Sequence, residues 1–242
     1  MNDNKSNENL IKTLLVALLQ QLQAEPFNSE PSNAEPSKWL QTAQSQLESS
    51  SNNEERFERF LRFSAMCKRK VGNEPLQMLP NWHCDQVARL ALLNQLLQFE
   101  TPVNQAARVK AAFKFGDESE QIAIIKGLNL LPCASELVDL AIATGRTNSL
   151  NLFAAIALNN DFAAQYYQSH AYHQLVLKAL FMDMDISQMV GLKAHWCPEL
   201  SGLAIDLVNE RIAAGRKPPG GIDLAIDPEH LNSIDLVTYK QL

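Results

Sequence analysis

The residues in this chain with chemical potential cluster in its second half. The run His173–Phe181 is apolar on nearly every side, yet Lys178 sits inside it and Gln174 lies one helical turn earlier on the same face. An ammonium among apolar neighbours needs a partner or sheds its proton. Either Lys178 faces a polar pocket, or it reaches solvent or pairs with one carboxylate. Two further polar knots interrupt apolar stretches. Arg146-Thr147-Asn148 offers a guanidinium suited to gripping a carboxylate or phosphate, with Asn148 as N-cap of a helix over Ser149–Leu158. Glu210-Arg211 and Arg216 lie at the end of another helix, where Arg216 complements the macrodipole. Together these residues predict an internal polar network that either binds a ligand or holds helices in register.

Metal and nucleophile chemistry have weaker footing. Trp82-His83-Cys84 and His195-Trp196-Cys197 supply two His/Cys pairs, and four such ligands would suit tetrahedral zinc. Their spacing matches no zinc module, so buried thiols beside partly exposed imidazoles are expected instead. His170 and His173 stand three apart without the glutamate of an HExxH motif, and read as capping or surface residues. No GxSxG, P-loop or GxGxxG is present, and Lys217–Gly221 lacks the lysine-serine of a phosphate cradle. No local nucleophile–base–orienter arrangement is visible, although such triads are often assembled from distant segments. No catalytic residue, metal or cofactor is assigned.

The elements that must position these residues are helices. Apolar residues recur at helical spacing almost throughout, and no stretch alternates as a strand does. Leu10, Leu14, Leu18 and Leu22 stripe a first helix. Glu-Pro at 25–26, 30–31 and 35–36 makes 24–37 a linker. Helices are predicted near Trp39–Leu47, from Glu54, over Asp85–Phe99, from Pro102 to Phe115, over Ser119–Leu130 and over Ser135–Thr144. Asp161 is expected to cap a short turn, Ser169 to cap His170–Met182, and Gly215 to stop a helix opened by Pro198. The expected fold is all-α: an irregular stack of about ten to twelve helices with antiparallel neighbours, HEAT-like or superhelical. The expected organisation is 1–53 as N-terminal helices with the linker, 54–216 as the main helical domain, and 217–242 as an irregular extension.

Composition narrows the function classes. The 242 residues carry 21 basic and 27 acidic side chains, a net charge of −6, which disfavours nucleic acid as the partner of the whole molecule. The basic run Lys68-Arg69-Lys70 is offset by Glu54, Glu55 and Glu58 and reads as a solvated helix face. Four scattered cysteines without CxxC fit reduced thiols, and with no signal-peptide pattern or apolar run of membrane-spanning length, a cytoplasmic location is expected.

Several segments in a fixed order resemble the EboA domain family. They are Leu130-Leu131-Pro132, Gly145-Arg146-Thr147-Asn148 with Phe153–Ala157 and Asn160, Gln174–Phe181, Gly191-Leu192, and Glu210–Arg216. Phe63-Ser64, Arg69–Gly72 and Pro75-Leu76 are similar to the family's N-terminal signature, so the likeness spans about residues 56–217. Ile212 replaces a tryptophan usual in the family, and Lys193-Ala194-His195 stands where an Arg-x-Asn is common.

The resemblance implies a role in metabolite traffic, without established catalytic chemistry. Ebo gene clusters include a membrane prenyltransferase-like protein and several enzyme-like proteins, and are linked to moving pigment precursors toward the periplasm. Other Ebo-type proteins, that membrane protein among them, and a small-molecule metabolite are the implied partners. Arg146, Asn148, Gln174, Lys178, Glu210, Arg211 and Arg216 are the positions that match the family's motifs. The leading expectation is a non-catalytic accessory protein. Its rivals are an enzyme acting on a phosphorylated or prenylated small molecule and a helical protein-interaction scaffold.

Overall fold

The computed structural model of the chain describes residues 3–24 and 36–229. Residues 25–35, which hold most of the expected Glu-Pro linker, and 230–242, the end of the expected extension, lie outside the described residues. Among the described residues there are eleven α-helices joined by short 3-10 turns, and no strand. The all-α stack expected from the periodicity is therefore present. The chain divides into two compact units, Met1–Leu140 and Ala141–Leu242.

The first unit holds α1 (Asp3–Ala24), α2 (Pro36–Glu48), α3 (Asn53–Val71), α4 (Cys84–Gln98), α5 (Pro102–Phe115) and α6 (Glu118–Lys126). Its centre is α4, which neighbours the other five helices. A helix apolar on all sides belongs in a core, and Val87, Leu90, Leu92, Leu93, Leu96 and Leu97 are all buried. Each such side chain contributes about 1.5–3 kcal/mol by leaving water. Helix starts follow local chemistry. Asn52 accepts from the Glu55 amide to cap α3, and Asp117 and Glu120 form a reciprocal capping box on α6. The helix predicted over Ser119–Leu130 ends at Lys126, and Leu128–Leu130 continues as a 3-10 turn.

One ionic cluster is sealed inside this unit. Arg89 pairs with Asp85 one turn earlier on α4, and both are buried. Arg89 Nε donates to the Ser64 carbonyl on α3 at 3.1 Å, and its Nη1 to Ser119 Oγ on α6 at 3.2 Å. The pair thus ties three helices together. Nearby, burial pushes the Cys67 thiol well above its ordinary range and keeps it protonated.

The second unit holds α8 (Leu150–Ala157), α9 (Phe162–Tyr166), α10 (Ser169–Phe181) and α11 (Pro198–Ala213), while α7 (Val138–Thr144) crosses from the first unit into the second. Of these, α7, α8 and α9 are short, and several caps differ from those expected. Ser149, not Asn148, caps α8: the helix begins one residue later than predicted, and Ser149 Oγ accepts from the Leu152 amide at 3.2 Å. Asp161 makes no side-chain cap for α9, because Asn160 Oδ1 takes the Phe162 amide at 3.0 Å. Ser169 is the first residue of α10 rather than its cap. The predicted helix Ser135–Thr144 is split into a 3-10 turn, Ala134–Leu137, and α7. Pro198 opens α11, and Gly215, at φ 67°, follows its end as expected. Beyond it, Ile222, Ala225 and Ile226 are buried, and Trp196 Nε1 donates to the Leu224 carbonyl at 2.9 Å.

Arg89→Met removes one partner of a buried pair, and a cost of about 3–5 kcal/mol in urea unfolding is expected. Asp85→Leu combined with Arg89→Met should recover most of that loss, since it leaves no unpaired buried charge. Lys126 gives a pH signature. Burial, opposed by Asp85, pushes its ammonium from an ordinary 10.5 down to about 8. Between those values the unfolded chain holds more protons than the folded one, so stability rises with pH across that window. The rise should be present in the wild type between about pH 8 and about pH 10, and diminished in Lys126→Met, by urea titration at each pH.

Candidate functional site

Lys178 is the hub of the second unit's polar residues. Its side chain is half-buried, and its Nζ donates to the carbonyls of Gly145 at 2.9 Å and Thr147 at 2.6 Å. These carbonyls lie just past the C-terminus of α7, where helix ends leave acceptors without partners. The ammonium also lies 4.9 Å from the centre of the Phe153 ring, and burial lowers its pKa. Backbone carbonyls, not a carboxylate, are therefore the hydrogen-bonding partners of the lysine flagged by the sequence.

Two concavities share Gln174 and Lys178 as walls. The larger, about 670 Å³, lies between the end of α7 and the first three turns of α10. Arg146, Tyr167, His170, Gln174 and Lys178 supply its polar groups, and Ile142 and Leu175 apolar wall. No aspartate or glutamate lines it. The smaller, about 460 Å³, runs between α10 and α11, where Leu177, Phe181, Leu203 and Leu207 meet Asp206 and Glu210. An i, i+3/i+4, i+7 spacing on each helix produces this groove.

The seven residues singled out from the sequence thus fall into separate places. Arg146, Gln174 and Lys178 share the larger cavity, and Gln174, Lys178 and Glu210 the smaller. Arg211 lines neither and lies over the Phe181 ring at 5.5 Å. Asn148 and Arg216 are exposed and line neither. Arg146 and Lys178 converge on one pocket, as an anion site would need, but Arg211 does not join them.

Sequence reasoning missed Tyr167 and misjudged His173. Tyr167 is 8% exposed, and its hydroxyl has no hydrogen-bond partner among the described residues. Burial also pushes its pKa up, so it is a neutral donor in want of an acceptor. His173, expected to cap or lie at the surface, is 1% exposed. Its Nε2 is 3.6 Å from Cys197 Sγ, and its Nδ1 is 3.6 Å from Glu199 Oε2. His170 Nδ1 approaches the other oxygen of Glu199 at 4.0 Å. His195 stacks on Tyr172 at 3.9 Å, held by a turn in which Gly191 adopts φ 80° and a Cβ would come 2.7 Å from that of Ala164. The available signal was the three-residue spacing of His170 and His173, which puts both on one helix face. Among the described residues, no group of three or more His, Cys, Asp or Glu side chains is placed to hold a metal ion.

Lys178→Met should cost about 1–2 kcal/mol in thermal or urea unfolding, because two helix-end carbonyls lose their donor. Amide exchange should speed up first in the turn between α7 and α8.

Among the described residues, no helix is long and apolar enough to cross a membrane. No curated protein and no solved structure matches the chain. The sequence model of one family does match, over residues 19–223, a span that includes both concavities and nearly all the described helices. The chain therefore belongs to the EboA family, whose description is metabolite traffic protein EboA.

Proposed function

We propose that this chain binds a small anionic metabolite in the cavity between α7 and α10, as a non-catalytic accessory protein of metabolite traffic. The observation that carries this reading is a cavity bordered by Arg146, Lys178 and His170 and by no acid. Donors and cations with no acid among them leave an anion as the complementary occupant. Lys178 spends two of its three donors on carbonyls and keeps one, while the Arg146 guanidinium has no hydrogen-bond partner among the described residues. The volume of about 670 Å³ lies within the range of small-molecule sites. A carboxylate or phosphate at the mouth, with an apolar body against Ile142 and Leu175, fits this lining. Other Ebo-type proteins, including a membrane prenyltransferase-like protein, are the partners proposed to deliver or receive the metabolite.

A second reading rests on Phe181, which is 67% exposed beside the apolar groove between α10 and α11. A partner helix docked there would make the chain an interaction scaffold.

Native mass spectrometry of the protein mixed with host-cell extract tests the two together. Metabolite binding predicts an added mass on the order of a few hundred daltons, a drug-sized ligand. It should be lost in Arg146→Glu, a charge reversal on an exposed side chain. No retained small molecule, or one indifferent to Arg146→Glu, overturns the cavity reading. A bound protein lost in Phe181→Glu would support the scaffold.

A further inference from the structure

Cys197 combines several features of a reactive thiol. As the N-cap of α11, its sulfur accepts from the Leu200 amide at 3.4 Å. The N-terminus of a helix favours negative charge, and a cysteine there beside a histidine is a nucleophilic arrangement. His173 Nε2 is 3.6 Å from the sulfur. The imidazole is 1% exposed, and its Nδ1 has no hydrogen-bond partner among the described residues, with the Glu199 carboxylate 3.6 Å away. Burial lowers the pKa of His173, with Glu199 opposing and His195 and His170 adding to the effect. A neutral imidazole carries one N–H and one lone pair. The carboxylate beside Nδ1 favours the proton there, which leaves the lone pair on Nε2 for the thiol. The other three thiols, Cys67, Cys84 and Cys133, are buried, whereas Cys197 is partly exposed.

We infer that Cys197 is the nucleophilic thiol of this chain, that His173 takes its proton and Glu199 orients His173, and that it exchanges with small disulfides. The thiol proton passes to His173 Nε2 as the sulfur attacks one sulfur of the disulfide. A new S–S bond forms and the old one breaks. The departing thiolate leaves with the bonding pair and takes up the proton. The Cys197 sulfur rises from thiol to disulfide level while the departing sulfur falls from disulfide to thiol, so no outside oxidant or reductant is needed. The inference goes beyond metabolite binding and holds whether or not the larger cavity is occupied. The residues come from distant segments, α10 and the start of α11, which is why no local motif announced them.

The full chain is incubated with oxidised glutathione near pH 7 and followed by intact mass and peptide mapping. One glutathione per chain is expected, on Cys197, absent in Cys197→Ser and formed at least about tenfold more slowly in His173→Gln. Circular dichroism reports whether His173→Gln is folded. Where it is not, Glu199→Gln decides, since that side chain is 58% exposed and its replacement leaves packing intact. Slower exchange in Glu199→Gln supports the assignment. Exchange at the rate of an unstructured cysteine peptide, modification spread over all four cysteines, or a folded His173→Gln that reacts like the wild type overturns it. So does wild-type exchange in Glu199→Gln where His173→Gln fails to fold.

Discussion

The second unit is governed by the need to satisfy helix ends. Every α-helix leaves amides at its start and carbonyls at its finish without internal partners. Here α7, α8 and α9 are seven, eight and five residues long, so much of their backbone is terminal. Polar side chains are spent accordingly. Lys178 takes the carbonyls of Gly145 and Thr147, Ser149 caps α8, Asn160 Oδ1 serves α9 and Cys197 opens α11. What remains after that demand at the larger cavity is chiefly Arg146 and the third donor of Lys178.

The same constraint explains what could be read from the residues and what could not. The all-α class followed from apolar spacing, and the starts at Pro102 and Pro198 and the stop near Gly215 followed from backbone chemistry that is local. The anomaly of Lys178 was also visible, because an ammonium in an apolar run is improbable without a purpose. Its partners were not visible: they are carbonyls more than thirty residues away, and every residue has one. Asn148 and Ser149 are adjacent and both are good caps, so residue type alone does not choose between them, and Ser149 is the one that caps α8. Tyr167 carries no sequence signal at all, since an unpaired hydroxyl is a property of its surroundings.

The concavities of this unit meet on α10. One face presents His170, Gln174 and Lys178 to the larger cavity, and Leu177 and Phe181 add the wall of the smaller groove. Tyr172, Val176, Ala179 and Leu180 anchor the buried side. His173 belongs to that buried side yet keeps contact with Cys197 and Glu199 at the start of α11. A single helix thus connects an anion-suited pocket, an apolar groove and an imidazole–thiol pair.

In the first unit, α4 has almost no outward surface: of its fifteen residues, only Gln86, Asn94 and Gln98 are not buried. Apolar side chains distributed all round cannot choose the rotation of a helix about its own axis, because each turn of about 100° offers another greasy face. That choice falls to the few polar groups on it. Asp85 and Arg89 must meet Ser119 and the Ser64 carbonyl, and Gln95 must meet Glu48, to which it donates at 2.6 Å. These contacts act as a key that fits one orientation of the central rod, while the leucines supply the adhesion that would serve any of them.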